Sequence, residues 1–301
     1  MRLRLLLMSV LVAVACGAAA CGQAQKDLLA KALRSPIQDA DVHLALSVTN
    51  QSGHLVDIDL SGPYHSNGAN RLESFDFAAR FVAHIAGQTR NLAARVVSTG
   101  NDVFVVYKGT TYRVGAERIA RFEHRAQVQA RHQPQLRTLA DLERNGIHLD
   151  SWFPDATIGP DTRMDGVAVK HHSGTLDVSA ALHDVAGLLS SRSLRGAQGQ
   201  RLQITPAIIA AVDKAVSDPK FDVFVGKADG KFRRIAATLG VQAPGLGSGG
   251  QPAKVAFQLD FMNVGQTQTI NAPGGPYEPI GSLVAKLRAD FGGSTGSPPA
   301  A

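Results

Sequence analysis

The stretch Asp41-Val-His-Leu-Ala-Leu-Ser-Val-Thr49 alternates apolar and polar side chains almost without interruption. Successive side chains of a β-strand point to opposite faces, so this period of two predicts a strand that is apolar on one side. The apolar side would carry Val42, Leu44, Leu46 and Val48, and the polar side would carry His43, Ser47 and Thr49. Such a strand belongs in a sheet that turns one face inward and the other to water.

The same period recurs in the segments that follow. They are Leu55–Leu60, Ser74–Ile85, Leu92–Val97 and Asp102–Val114. Lys108-Gly109 interrupts the last of them and is typical of a tight turn. Because the connections are short and carry Gly or Asn, the segments are expected to pair as hairpins. The first half of the chain therefore predicts an antiparallel meander of five or six strands.

The remaining chain mixes helical and strand periods. Helical spacing predicts helices in Gly115–Asn145 (broken at Pro134), Ser179–Leu189, Ala207–Val216 and Pro279–Leu287. Alternation predicts strands at Arg163–Val178, Phe221–Gly226, Lys231–Val241 and Lys254–Val264. Strands followed by helices and then by strands indicate an α+β fold with an antiparallel sheet, rather than a doubly wound one.

The first residues have the parts of an export signal: a basic start, a short apolar core and a run of small residues. Residues 1–20 are therefore predicted to be a signal peptide. Ala18-Ala-Ala-Cys21-Gly22 resembles the lipobox of bacterial lipoproteins, with Ala18 in place of the usual Leu. Cys21 is the predicted lipid attachment site, and Cys16 is a second candidate. Ordinary secretion, with cleavage after Ala20, is the alternative.

Acylation at Cys21 would make residues 21–40 a lipidated N terminus and linker. Two acyl chains suffice for stable anchoring. The expected location is the extracytoplasmic face of the cell membrane.

Composition excludes several classes of protein. Both cysteines lie in the first 21 residues, which leaves no disulfide framework and no Cys-based zinc site in the body of the chain. No apolar run after residue 22 is long enough to span a bilayer. The net charge is +6, and +4 without the leader, which does not indicate a nucleic-acid partner.

No motif predicts catalysis, a cofactor or a metal. Gly245-Leu-Gly-Ser-Gly-Gly250 matches a dinucleotide-binding string, but a predicted strand rather than a helix follows it. His171 and His172 would point to opposite faces of a strand, and His124 and His132 would lie two helical turns apart. We therefore expect a protein that is not an enzyme.

Two features have two interpretations each. Arg118, Arg121 and Arg125 form a stripe that could meet anionic headgroups, although a solvated helix face, partly balanced by Glu117 and Glu123, is the simpler interpretation. The Phe-rich strand faces could form a packed core or line a lipid cavity, because periodicity does not distinguish the two.

Several segments resemble the LolA-like, LppX/LprG-type bacterial lipoproteins in order and spacing. They are Asp41–Val48, Asp57–Gly62, Asp102–Tyr107 with Thr111–Val114, Asp165–Val178, Val223–Asp229 with Phe232–Ile235, and Leu259–Asn263 with Ile270–Pro273. The resemblance implies a strongly curved, half-barrel sheet covered on its concave side by several helices. It also implies that lipid or lipoglycan acyl chains are held in an apolar cavity for carriage or transfer in the cell envelope.

Together these observations predict one domain over residues 41–288, a disordered tail over 289–301, and a monomer. The candidate cavity residues are Phe75, Phe77, Phe81, Phe104, Phe257 and Phe261. The alternative function is a structural or signalling lipoprotein with a packed interior that acts through protein contacts. An extracellular hydrolase is a third interpretation.

Overall fold

The structure is a computed structural model. It describes residues 32, 35–51, 53–68, 71–85, 88–130, 146, 148–190, 205–242 and 252–291. Both cysteines, the chain around Pro134, the glycine-rich run at 245–250 and residues 292–301 lie outside the described residues. The predictions made for them therefore stay predictions.

The first six strands form the predicted meander. They are β1 (Asp39–Asn50), β2 (Gly53–His65), β3 (Ser74–Ile85), β4 (Gln88–Thr99), β5 (Val103–Tyr107) and β6 (Thr110–Arg113). Each pairs antiparallel with the next. Lys108 and Gly109 have φ of 49° and 77°, the left-handed pair that a two-residue hairpin turn requires.

Helices and further strands follow. The helices are α1 (Ala116–Ala130), α2 (Leu149–Trp152), α3 (Val178–Ser190), α4 (Pro206–Ala215) and α5 (Ile280–Phe291). The strands are β7 (Thr157–Ile158), β8 (Thr162–Met164), β9 (Val167–Thr175), β10 (Val216–Gly226), β11 (Phe232–Val241), β12 (Ala253–Met262) and β13 (Tyr277–Pro279). Helix α5 runs past residue 288, where the domain was predicted to end.

The predicted helix starts are confirmed by their caps. The Asp177 carboxylate accepts a hydrogen bond from the Ala180 backbone N–H at 2.8 Å, at the first turn of α3. The Thr205 hydroxyl accepts one from Ile208 at 3.3 Å, with Pro206 in the first turn of α4. Both satisfy backbone donors that a helix N-terminus leaves without intrahelical partners.

The thirteen strands of the described residues form one curved sheet. The strand order is β13-β6-β5-β4-β3-β2-β1-β12-β11-β10-β9-β7, with β8 also paired to β9. The pairing is antiparallel except between β13 and β6, which run parallel. Strand β12 lies beside β1, so the two halves of the chain share a single sheet.

Among the residues that the structure describes, buried apolar side chains gather in two clusters at opposite ends of this strand order. The first contains Phe153, Phe221, Val223 and Ile235, and side chains of α3 pack against it. The second contains Tyr107 and Tyr112 together with Leu283 of α5. Helices therefore contact the sheet at its β10–β12 part and at its β5–β6 part.

Candidate functional site

Apolar side chains form unbroken rows across the middle of the sheet. Starting from β11 and ending at β4, directly paired residues on one face are Ala237, Phe257, Leu46, Ile58, Phe81 and Leu92. The spacing between neighbouring strands is about 4.8 Å, so this row extends for roughly 24 Å. Every member is only half-buried.

A second row runs parallel to the first on the same face. Its paired members are Ile235, Leu259, Leu44, Leu60, Ala79, Ala94 and Tyr107. Ile235 and Tyr107, at the two ends, are 4% and 3% exposed and belong to the two buried clusters. The five residues between them are half-buried.

The side of the sheet that carries both rows is called the apolar face here. Its margins are shared with the clusters, since Phe257, Leu259 and Phe261 pack against the first and Leu92 and Ala94 against the second. Of the described residues, the apolar side chains of β1, β2 and β3 between these margins join neither cluster. A stretch of apolar sheet therefore lies between the two helix contacts with only partial cover.

Five of the six phenylalanines predicted from the sequence lie on this face. Phe75, Phe77 and Phe81 occupy alternate positions of β3, and Phe257 and Phe261 those of β12. The rings of Phe75 and Phe77 are stacked, with centroids 4.8 Å apart. Since all five are half-buried, the face offers aromatic surface to a ligand.

Phe104 has to be removed from that set. It pairs with Val97, whereas its neighbour Val105 pairs with Val96 and shares the apolar face. Phe104 therefore points to the opposite side, where it is 4% exposed and its ring lies 5.1 Å from that of Tyr277. Its burial there packs β13 against the sheet edge.

The opposite side of the sheet, the polar face, carries charged side chains in the same registers. His43 Nε2 lies 2.8 Å from an Asp59 carboxylate oxygen, and Arg234 Nε donates to Asp260 at 2.5 Å. A shallow depression of about 380 Å³ lies mainly on this face, between Asp59, Arg80 and Arg95. Because the charged side chains lie on this side, the apolar face is the one suited to an apolar ligand.

His172 is the polar exception on the apolar side. It pairs with Val223 and is fully buried, and among the described residues neither ring nitrogen has a hydrogen-bond partner. Burial lowers its pKa from 6.5 to about 4, and the neighbouring His171 and Lys170 act in the same direction. Its imidazole is therefore neutral at pH 7, as a buried histidine without a counter-charge must be.

His172 makes the stability of the fold depend on pH. The unfolded chain takes up this proton below about pH 6.5, but the folded protein only below about pH 4. Between these values the unfolded state binds more protons, so acid destabilises the fold, by about 2 kcal/mol between pH 7 and pH 5. We predict that His172→Leu removes this part of the pH dependence, as measured by urea unfolding at the two pH values.

The exposed His183 on α3, replaced by Gln, provides the matched control for that measurement and should follow the wild type. Equal acid destabilisation of the His172→Leu variant and the wild type would contradict the prediction.

The cavity residues predicted from the sequence include aromatic members of the apolar face but none of its aliphatic members. Leu44, Leu46, Ile58 and Leu60 lie in the middle of the two rows, in the strands that neither cluster covers. The signal that would have found them is the same alternation that predicted β1 and β2.

No group of three or more potential metal ligands converges within the residues that the structure covers. None of the described helices is long and apolar enough to cross a membrane.

Solved structures with a similar chain course include LprF, the lipoprotein LppX and a lipoprotein-sorting protein domain. LppX, a lipoprotein of Mycobacterium tuberculosis, is 12% identical with a TM-score of 0.35, over 81% of this chain and 98% of that chain. LprF from Mycobacterium bovis is 15% identical with a TM-score of 0.41, over 85% of this chain and 99% of that one. An outer membrane lipoprotein-sorting protein domain from Vibrio parahaemolyticus is 8% identical, over 82% of this chain and 92% of that chain, with a TM-score of 0.20.

No protein-family model matches the chain, and no curated protein matches its sequence. Similarities at these TM-scores do not define a function, which has to be argued from the chain's own residues.

Proposed function

We propose that this protein is an exported lipoprotein, anchored through Cys21, that holds the acyl chains of a lipid or lipoglycan on its apolar face. The observation that carries the proposal is the burial pattern of the second apolar row, whose middle is half-buried while its ends, Ile235 and Tyr107, are buried. The first row is half-buried throughout. A packed core would bury the middle of a row at least as deeply as its ends, because the middle lies farthest from the rim. In the second row the order is reversed.

The driving force would be removal of apolar surface from water. Acyl chains laid on the face would contribute about 0.8 kcal/mol for each methylene buried, and the face would gain about 25 cal/mol for each Å² it loses to the ligand. Aromatic side chains such as Phe77 and Phe81 supply a large part of the available contact. This binding needs no catalytic group and no cofactor.

The helices would complete the site from both sides. Helix α3 packs at the β10–β12 part of the sheet and α5 at the β5–β6 part. Acyl chains lying between the two helices would contact helix side chains at both sides and the apolar face of the sheet along their length. In this proposal the helices and the ligand together cover the concave side, and the protein carries its lipid as a monomer in the cell envelope.

A chain that begins at Lys26 tests the proposal, because it has no cysteine that could be acylated. Purified from a membrane-containing host, it should show a lipid-bound mass by native mass spectrometry, with stoichiometric lipid after organic extraction. A protein that stays ligand-free after incubation with lipids would contradict the proposal. That result would favour a lipoprotein that acts through protein contacts.

A further inference from the structure

Helix α1 is held to the body of the protein along one side. Ile119 is 8% exposed, and the Glu123 carboxylate accepts a hydrogen bond from the Leu72 backbone N–H at 2.8 Å. These two residues are about 40° apart around the helix, at about 100° per residue. They fix the rotation of the helix and therefore decide which side chains face outward.

The outward side is basic and partly apolar. Arg118, Arg121 and Arg125 are all exposed, and so are Phe122, at 37%, and Val128, at 42%. The five positions fall within an arc of about 120° at 3.6 residues per turn. Val128 and Phe122 stand at its two edges, with the arginines between them.

No acidic residue of α1 lies on this arc. Glu123 is turned toward Leu72, and Glu117 lies just beyond the edge marked by Val128. Among the described residues no carboxylate pairs with any of the three guanidinium groups, whereas Arg113, in the strand just before α1, is paired with Asp102. Within the part of the chain that the structure describes, the arc is thus a row of positive charges without a paired carboxylate, flanked by exposed apolar side chains.

We propose that this face of α1 docks on an anionic membrane surface. The arginines would lie at the level of the lipid phosphates, and Phe122 and Val128 would enter the boundary between headgroups and acyl chains, as in interfacial amphipathic helices. An acidic protein surface could match the same charges and apolar side chains, and it becomes the partner to test if the chain shows no preference for anionic vesicles. The solvated-face interpretation of the arginine stripe leaves the exposed apolar side chains unexplained.

The position of α1 relates docking to the candidate site. The helix follows β6 directly and reaches Leu72, in the connection between β2 and β3. Docking through α1 would therefore bring that end of the meander toward the bilayer. The docking itself does not depend on lipid binding by the apolar face, so either proposal can fail alone.

Co-sedimentation with vesicles tests the docking. The protein is the exported chain after removal of residues 1–20, with Cys21→Ser, so that neither the apolar leader nor an acyl anchor contributes. We expect binding to vesicles of phosphatidylcholine with 30% phosphatidylglycerol, weak binding to phosphatidylcholine alone, and loss of binding at high salt. The triple variant Arg118→Gln, Arg121→Gln, Arg125→Gln should lose about 100-fold in partition coefficient.

Two further variants show which property of the helix acts. Arg80→Gln, Arg163→Gln, Arg288→Gln removes the same charge from exposed arginines elsewhere and should change binding by no more than about twofold. Phe122→Ser with Val128→Ser should weaken binding several-fold and leave its salt dependence in place. Equal loss in the two arginine triples, or no preference of the parent chain for anionic vesicles, would overturn the proposal.

Discussion

Phe77→Asp is expected to reduce the lipid retained by the purified protein by at least tenfold. Phe77 is half-buried on the apolar face and stacks on Phe75. An ionised carboxylate at this position would have to be desolvated by any acyl chain laid across the face, at a cost of several kcal/mol. The measurement is extracted lipid per protein, taken on the monomeric fraction with an unchanged circular dichroism spectrum. Phe257→Asp, across the face in β12, should act in the same direction.

Ala78→Asp is the matched control for Phe77→Asp. Ala78 is the next residue of the same strand, but it is exposed on the polar face and pairs with Arg95. The same charge in the same strand should therefore leave lipid retention unchanged. Normal retention by a folded Phe77→Asp variant would show that the lipid does not lie on the apolar face.

Gly62→Ala is expected to cost more than about 4 kcal/mol of folding free energy, or to prevent folding altogether. Gly62 lies in β2 with φ of +148°, a conformation that L side chains rarely adopt. A Cβ atom there would sit far inside van der Waals contact with the backbone carbonyl oxygen of Asp76 in β3. Because that obstacle is backbone, relief would require β2 and β3 to separate. Urea unfolding of the purified variant measures the loss.

Gly187→Ala provides the comparison for this change. Gly187 lies inside helix α3, and apart from the helix's own backbone no atom of the described residues lies within 4 Å of a Cβ atom placed there. The substitution should stabilise the protein by about 0.5–1 kcal/mol, the usual gain of Ala over Gly in a helix. If both variants unfolded at the urea concentration of the wild type, the close approach at Gly62 would have no energetic consequence.

The strand order of the meander could be predicted because each strand and each hairpin turn depends on residues that are close together in the chain. Alternation over β1 and β3 follows from contacts with near neighbours, and the Lys108-Gly109 turn follows from the backbone conformations those two residues accept. The caps of α3 and α4 are local for the same reason. Five of the six predicted phenylalanines accordingly lie on the face that the alternation assigns to them.

The sequence could not assign Phe104 or β13. Strand β5 reads Val-Phe-Val-Val-Tyr, an apolar run without alternation, so its two faces are indistinguishable until β4 sets the register. Strand β13 is three residues long and runs parallel to β6, a pairing made by residues more than 160 positions apart in the chain. Neither the side to which Phe104 points nor the pairing of β13 with β6 can be recognised from neighbouring residues in the sequence.

The sequence alone determined the strands of the meander, their hairpin order, the caps of α3 and α4 and the two-faced character of the sheet. All of these depend on side chains within a few positions of one another. The tertiary structure alone decided that β12 pairs with β1, so that Leu259 lies opposite Leu44 and the apolar rows continue from one half of the chain into the other. It also decided how deeply each row is buried. The burial depends on where helices from distant parts of the chain pack, and the periodicity of a strand does not indicate this.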